Sequence, residues 1–175
     1  MTLQVGSRFP CRDRSTLGRQ GTIREDTLFY FAYTARIAPD RMAEVCPDAA
    51  FSFIAHLPEY GLSFPIDGNG WSGGLPSATP ASGSTVWGAV YTVNEASMPS
   101  LDAIERHEGR VRASLQAIDR MGKRHVVATH VAPEAAGATR APSARYVTIM
   151  LSGSRHWSLP AGWIAGLEEH LDVGR

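Results

Sequence analysis

The sequence predicts an α+β fold built on an antiparallel or mixed sheet. Segments with strand character outnumber the helical ones, and most of them follow one another along the chain instead of alternating with helices. The size agrees with one domain, because 175 residues, of which 43% are apolar and 19% charged, suffice for a proper core. This pattern allows the sheet to be either open or closed.

The first 26 residues stand apart from the domain predicted at 27–175. They contain several arginines and no apolar stretch, as in RFPCRDRSTLGRQGTIRED, and therefore do not match a secretory signal. We interpret residues 1–26 as a poorly ordered N-terminal extension, with a targeting or docking role as the alternative.

The elements of the predicted domain follow in order. The strand candidates are TLFYFAY, AFSFIAHL, GLSFPI, TVWGAVYTV, SLQAIDRM and HVVATHVA. The second and third are separated by the turn-like PEY, and the last two flank Gly122-Lys123 as a hairpin. The Gly-, Ser- and Pro-rich stretch at 67–84 is predicted to be a loop. Helices are predicted for PDRMAEVC, for the segment after Ser97, and for LPAGWIAGLEEHL near the end.

The segment SMPSLDAIERHEG, residues 97–109, carries the most informative carboxylates. Pro99 lacks an N–H group, so the helix must begin close to it, with Ser97 as the N-cap. Gly109 can supply the left-handed residue that ends the helix. Glu108 then lies at the C-terminal end, where the helix dipole disfavours a carboxylate and favours the protonated form. A carboxyl group that exchanges a proton near neutrality suits a general base and acid, whereas the ordinary interpretation of such a charge is a solvated helix face.

Composition argues against several classes of function. Seventeen basic residues balance seventeen acidic ones, which gives no electrostatic reason to expect nucleic acid or an anionic membrane as a partner. The longest apolar runs are too short to span a bilayer. Cys11 and Cys46 fit no metal or redox spacing, which favours a reduced, cytoplasmic setting. No zinc or phosphate-loop motif is present, and no metal is expected.

Four stretches together resemble the γ-glutamylcyclotransferase family, which has an AIG2-like, cyclotransferase fold. LFYFAYTARI is similar to the family's first strand, Tyr-Phe-Ala-Tyr-Gly-Ser-Asn-Leu, and LDAIERHEG to its acidic helix end, Leu-Asp-x-x-Glu-Gly. GWSGGLPSATPASGSTVWGAVYTV resembles its Gly-rich loop and Val-Trp-Gly strand. APSARYVTIMLSGSRHWSLPAGWIAGLEEHL resembles its Pro-Ser-Pro-x-Tyr segment and final helix. The likeness runs from Leu28 to about Leu171.

The resemblance implies a small mixed or antiparallel β-barrel flanked by helices, with no cofactor. It also implies release of 5-oxoproline from a γ-glutamyl amide or dipeptide, in which the substrate's α-amine attacks its own γ-carbonyl and one glutamate relays the proton. Matching Glu-Gly to Glu-Gly selects Glu108 as the catalytic residue. An ungapped match selects Glu105 instead, but would place Pro99 inside the helix, so Glu108 is preferred.

The same resemblance implies a set of substrate-binding residues. The backbone of residues 30–35, near the end of the first strand, would hold the α-carboxylate and γ-carbonyl of the glutamyl group. The members of the set are Tyr30, Phe31, Ala32, Tyr33, Thr34, Ala35 and Tyr146. The family's Gly-Ser-Asn is here Thr34-Ala35-Arg36, which loses glycine's access to positive φ and adds a cation. Arg36 either clamps a carboxylate or faces solvent.

Two further functions remain open at this point. The first is a non-catalytic module that binds a small carboxylate or amide metabolite, motivated by the Thr34-Ala35-Arg36 replacement. The second is an amide hydrolase in which Glu108 activates water. A small-molecule γ-glutamyl substrate is the expected partner, and a homodimer is left open.

Overall fold

Five strands close into a barrel in the computed structural model, which describes residues 26–68 and 70–172. The strands are β1 Thr27–Ala32, β2 Ala50–Asp67, β3 Gly74–Asn94, β4 Val111–Asp119 and β5 Arg124–Val131. The helices are α1 Pro39–Ala43, α2 Met98–His107, α3 Ala144–His156 and α4 Ala161–Asp172. Residues 1–25 of the predicted extension lie outside the described residues, so the domain boundary at residue 27 stays a prediction.

The barrel has the strand order β1-β3-β2-β4-β5, and β5 returns to β1. The β1–β5 contact is parallel, with Tyr30 opposite Ala128, whereas the other neighbouring pairs are antiparallel. The predicted α+β fold with a mixed barrel flanked by helices is therefore confirmed. Among the described residues, no helix is both long and apolar enough to cross a membrane.

One long strand replaces the two candidates AFSFIAHL and GLSFPI. The PEY segment does not turn the chain back; it forms an irregularity within β2, where the pairing with β3 shifts between Pro58 and Tyr60. Glu59 takes a positive φ of 61°, and its carboxylate accepts a hydrogen bond from the Gly83 backbone N–H at 3.0 Å. A β-bulge absorbs the residues that resemble a turn, so the prediction of two strands was wrong.

The predicted loop at 67–84 was also wrong over most of its length. The strand β3 begins at Gly74 and continues through the whole Ser- and Pro-rich stretch into the predicted strand TVWGAVYTV. Its first half pairs with the second half of β2, for example Ser77 with Ser63. Tertiary pairing thus overrides a composition that is typical of loops.

The helix α2 begins at Met98 with Pro99 in its first turn, as the sequence predicts. Ser97 occupies the N-cap position, but its hydroxyl donates to an Asp48 carboxylate oxygen at 3.1 Å and makes no capping bond. Instead, a 3-10 turn at Glu95–Ser97 leads into the helix, and Asn94 caps that turn by accepting from the Ala96 N–H. The predicted start and the N-cap position of Ser97 are confirmed, whereas the capping hydrogen bond expected from its hydroxyl is not made.

The helix α3 packs closely on the segment that follows β1. An added Cβ on Gly153 would lie 2.6 Å from the Ala38 nitrogen and 2.7 Å from the Ile37 Cγ2, so no larger residue fits there without a shift. Ser143 caps this helix by accepting from the Tyr146 N–H. The close approach brings the first turn of α3, including Tyr146, beside the end of β1.

Candidate active site

The chain leaves β1 through a short buried turn. A 3-10 helix spans Ala35–Ile37, and the Thr34 hydroxyl accepts from the Arg36 backbone N–H at its start. Thr34 stands where the family has glycine. Its φ of −86° is extended, so the backbone here needs no positive φ and accommodates threonine. Its hydroxyl also supplies a polar group in place of the serine and asparagine that are missing.

The end of α2 is shaped by Gly109, which has φ +85° as predicted for a left-handed terminating residue. The Arg110 N–H donates to the Glu105 carbonyl at 2.8 Å, and the Gly109 N–H donates to the Arg106 carbonyl at 2.9 Å. These two bonds form a Schellman motif. The motif turns the chain back along the helix end and places Arg110 beside two glutamates.

Arg110 is the centre of this cluster, and its side chain is fully buried. Its Nη1 donates to Glu105 at 2.6 Å and to Glu108 at 2.8 Å. Its Nη2 donates to the Tyr146 hydroxyl at 3.0 Å, and its Nε donates to the Pro76 carbonyl at 2.8 Å. Burial alone would lower the pKa of this guanidinium, but Tyr146 and the two glutamates raise it well above its ordinary value. Arg110 is therefore a permanent buried cation.

The two glutamates differ in how much of each carboxylate is occupied. The Glu105 side chain is 0% exposed; Oε2 accepts from Arg110 and Oε1 accepts from the Thr34 hydroxyl at 3.4 Å. The Glu108 side chain is 8% exposed, and its Oε2 accepts both from the Tyr146 hydroxyl at 2.6 Å and from Arg110. Its Oε1 accepts no hydrogen bond from any residue that the structure describes. Glu108 thus keeps one oxygen available for an incoming proton.

The charges around Glu108 differ from those that the sequence suggested. The position at the helix end is as predicted, and the dipole there disfavours a carboxylate. The structure adds two donors to Oε2, the Arg110 guanidinium at 2.8 Å and the Tyr146 hydroxyl at 2.6 Å. The sequence argument considered the dipole alone and missed these two contacts.

The predicted substrate-binding residues fall into three groups. Thr34, Ala35 and Tyr146 join the glutamates, since the Ala35 N–H donates to the Tyr146 hydroxyl at 3.3 Å. Phe31 and Ala32 are buried in separate apolar clusters and contribute packing. Burial raises the pKa of Tyr146, which therefore remains a neutral donor to Glu108.

Tyr30 and Tyr33 converge on His130 of β5. The Tyr30 hydroxyl lies 3.0 Å from His130 Nδ1, and the Tyr33 hydroxyl donates to the His130 carbonyl at 2.7 Å. The other ring nitrogen of His130 lies 2.8 Å from an Asp102 oxygen. Burial raises the pKa of Tyr33 to about 12, and burial followed by the Glu105 charge raises that of Tyr30 well above its ordinary value. Both phenols stay neutral, and the predicted roles of these two tyrosines remain untested.

Sequence reasoning missed Arg110, and it did not foresee the contact of His130 with Tyr30. A readable signal existed for Arg110, because the residue after a C-terminal helix glycine folds back onto the last turn. Its remaining partners, Pro76 and Tyr146, are distant in sequence and carry no local signal. Among the described residues, no group of three or more His, Cys, Asp or Glu side chains is placed to hold a metal ion.

A cavity of about 450 Å³ is lined by residues of β2, β3 and β4 and by the chain from the end of β5 onward. Its lining is mostly apolar and includes Tyr60, Pro65, Ala78, Leu115 and Val131. Ala78 connects this cavity to Tyr33, since its backbone N–H donates to the Tyr33 hydroxyl at 2.9 Å. Neither Glu105 nor Glu108 lines this cavity, so we assign the chemistry to the charged cluster and not to the cavity.

Comparisons with known proteins agree with this architecture. A sequence profile described as AIG2-like family matches residues 85–167. The chain is 28% identical over 145 residues to human γ-glutamylcyclotransferase, covering 78% of this chain and 74% of that protein. The crystal structure of a human protein titled uncharacterized protein loc79017 is 26% identical, with a TM-score of 0.75 over 82% of this chain and 88% of that one. A structure titled γ-glutamyl cyclotransferase, at 24% identity, has the same fold with a TM-score of 0.75 over 81% and 86% of the two chains.

Proposed function

Because the chain belongs to the AIG2-like family, we propose that it is a γ-glutamylcyclotransferase-type enzyme that releases 5-oxoproline from a γ-glutamyl amide or dipeptide. Human γ-glutamylcyclotransferase, to which it is similar, carries the name of this activity. The observation that supports the proposal most is the state of Glu108: one carboxylate oxygen is held by two donors, and the other accepts no hydrogen bond from a residue that the structure describes, although the side chain is only 8% exposed.

The proposed reaction uses Glu108 first as a base. The substrate's α-ammonium gives a proton to Oε1 of Glu108, and the resulting amine attacks the γ-carbonyl carbon. A new C–N bond forms, and the carbonyl oxygen becomes an oxyanion. Because nucleophile and electrophile belong to one molecule, the protein's main task is to fold the glutamyl chain so that they meet.

Glu108 then acts as the acid. The protonated Glu108 gives its proton to the nitrogen of the leaving group, the oxyanion collapses, and the bond to that nitrogen breaks. The ionised Glu108 then takes the second proton from the ring nitrogen, which leaves a neutral lactam, and passes it to the released amine, which departs as an ammonium ion. No water is consumed, so the products are 5-oxoproline and a free amine or amino acid. Tyr146 and Arg110 hold Oε2 throughout, which keeps the carboxylate in one orientation while Oε1 carries the proton.

Glu105 is assigned a supporting role. Its side chain is fully buried, and both of its oxygens already accept hydrogen bonds. It neutralises part of the positive charge of Arg110, and so helps to retain that cation beside Glu108.

The test is to incubate the purified protein with a panel of γ-glutamyl amines and γ-glutamyl dipeptides and to quantify 5-oxoproline. Formation of 5-oxoproline together with an equal amount of free amine supports the proposal. Release of free glutamate would instead indicate hydrolysis by an activated water. Thermal stabilisation by these compounds without turnover would indicate a binding module.

A further inference from the structure

Arg36 is a buried cation whose hydrogen-bonding capacity is only partly used. Its side chain is 8% exposed, and Nη1 donates to the Arg41 carbonyl at 2.7 Å. Its Nε is buried and has no hydrogen-bond partner within residues 26–68 and 70–172. Buried donors are nearly always paired, so this orphaned Nε points to a group that binds there.

The guanidinium of Arg36 faces both glutamates across a gap. Its Nε is 3.8 Å from Glu105 Oε1, and its Nη2 is 3.9 Å from Glu108 Oε1. Both distances exceed those of N–H···O hydrogen bonds, which are about 2.7–3.2 Å. Oε1 of Glu108 is the same oxygen that accepts no hydrogen bond from a described residue. Nη2 of Arg36 and Oε1 of Glu108, which carry opposite charges, therefore face each other without a hydrogen bond.

This arrangement is complementary to the head group of an α-amino acid. The ammonium group of such a molecule would contact Glu108, and its carboxylate would contact Arg36, so that two ion pairs with the ligand take the place of the long contact between Arg36 and Glu108. An arginine fork is well suited to a carboxylate, because it can donate two parallel hydrogen bonds.

The backbone of the turn is less available for this task. The N–H groups of Ala35, Arg36 and Ile37 already donate to the Tyr146 hydroxyl, the Thr34 hydroxyl and the Thr34 carbonyl. The family resemblance gives the α-carboxylate to the backbone around residues 30–35, whereas the unused capacity in this chain lies on the side chain of Arg36.

We propose that Arg36 binds the α-carboxylate of the substrate and selects γ-glutamyl compounds over amides that lack this group. The inference rests on the proposed function for the identity of the substrate. The same contact directs the α-ammonium to the free oxygen of Glu108, so Arg36 is a specificity-determining residue that acts at the reacting end of the substrate.

Two substrates that differ only in the α-carboxylate test this directly. A γ-glutamyl amide is compared with the 4-aminobutanoyl amide of the same leaving amine, which cyclises by the same attack and gives 2-pyrrolidinone. In the unaltered protein we expect kcat/KM for the second compound to be lower by about 100-fold, typical of losing one partner of a buried charge pair. Equal kcat/KM values for the two compounds would overturn the inference, and this comparison requires no variant.

Variants then locate the effect. We expect Arg36→Gln to lower kcat/KM for the γ-glutamyl amide by about 100-fold and to lower kcat/KM for the 4-aminobutanoyl amide far less. Arg36→Lys should lower kcat/KM for the γ-glutamyl amide by an intermediate factor, because lysine keeps the positive charge but cannot donate two parallel hydrogen bonds to a carboxylate. The control is Arg155→Gln, which removes an exposed arginine of α3 and should change neither value. Equal losses on both compounds in the folded Arg36→Gln protein would contradict the inference.

The inference can be separated from the proposed function. If the protein turns over neither compound, the proposed function fails, and calorimetric titration with the same two compounds measures binding alone. Preferential binding of the γ-glutamyl amide that is lost in Arg36→Gln would support the assignment of Arg36. Equal affinity of the two compounds would reject it.

Discussion

Replacing Arg110 with methionine should be the most destabilising single change in the cluster. Methionine fills a similar elongated space but removes the cation and all four donor contacts, to Glu105, Glu108, Tyr146 and Pro76. Removing one partner of a buried ion pair costs about 3–5 kcal/mol, because the remaining charge is left uncompensated. Since domains of this size are stable by only about 5–15 kcal/mol, much of the free energy of unfolding should be lost.

The assay is equilibrium unfolding in urea, with the free energy of unfolding extrapolated to water. Arg155→Met is a suitable control, because it removes an arginine from an exposed ion pair with Glu168 and should cost no more than about 1 kcal/mol. A second variant isolates the cause: adding Glu105→Gln to Arg110→Met removes one uncompensated charge and should restore part of the lost stability. A loss below about 1 kcal/mol for Arg110→Met would refute our description of the cluster as a buried ionic network.

Three further variants test other parts of the structure. Tyr146→Phe removes a donor from Glu108 and should lower kcat/KM for a γ-glutamyl substrate by about 10- to 100-fold. Asp102→Asn should destabilise the protein at neutral pH, because the hydrogen bond from Arg112 lowers the pKa of Asp102 in the folded state. A lowered pKa gives stability that is present above the unfolded value and lost as pH falls through the folded one, so the unfolding difference should begin to shrink below about pH 4 and vanish only below the lowered pKa of the folded state. Gly109→Ala should cost about 1–2 kcal/mol in urea unfolding, since alanine is strained at φ +85°.

Matched controls sharpen these experiments. Asp67→Asn changes a carboxylate that is 85% exposed and should produce little pH-dependent difference in stability. Gly162→Ala lies in α4 where an added Cβ meets nothing within 4 Å, so it should be neutral or stabilising. A cost at Gly162 equal to that at Gly109 would contradict the assignment of backbone strain to the end of α2.

Local chemistry explains what the sequence predicted correctly. Pro99 restricts where α2 can begin, Gly109 permits the conformation that ends it, and Gly122 lies in the predicted hairpin turn; each effect depends on one residue and its neighbours. The strand TVWGAVYTV was equally clear, because β-branched and aromatic residues are enriched in strands. These elements, with the family resemblance, are enough to predict the barrel and to bring Glu108 to notice.

The remainder depends on contacts between distant parts of the chain. The stretch 74–84 becomes a strand only because the second half of β2 lies beside it, so its own composition misleads. Arg110 acquires its role from Pro76 and Tyr146, which are 34 and 36 positions away. The sequence likewise could not predict whether Arg36 is exposed or buried, because its burial depends on how the fold encloses the turn after β1.

The central claim is that Glu108 carries the proton between the two amines, and a pair of isosteric variants tests it most directly. Glu108→Gln keeps an oxygen to accept from Tyr146 and Arg110 but cannot take a proton, so 5-oxoproline formation should fall by about 100-fold or more while thermal stability is largely kept. Glu105→Gln, once shown to be folded, should retain most of its kcat. Full activity in Glu108→Gln together with loss of activity in Glu105→Gln would contradict the account and transfer the role to the other glutamate.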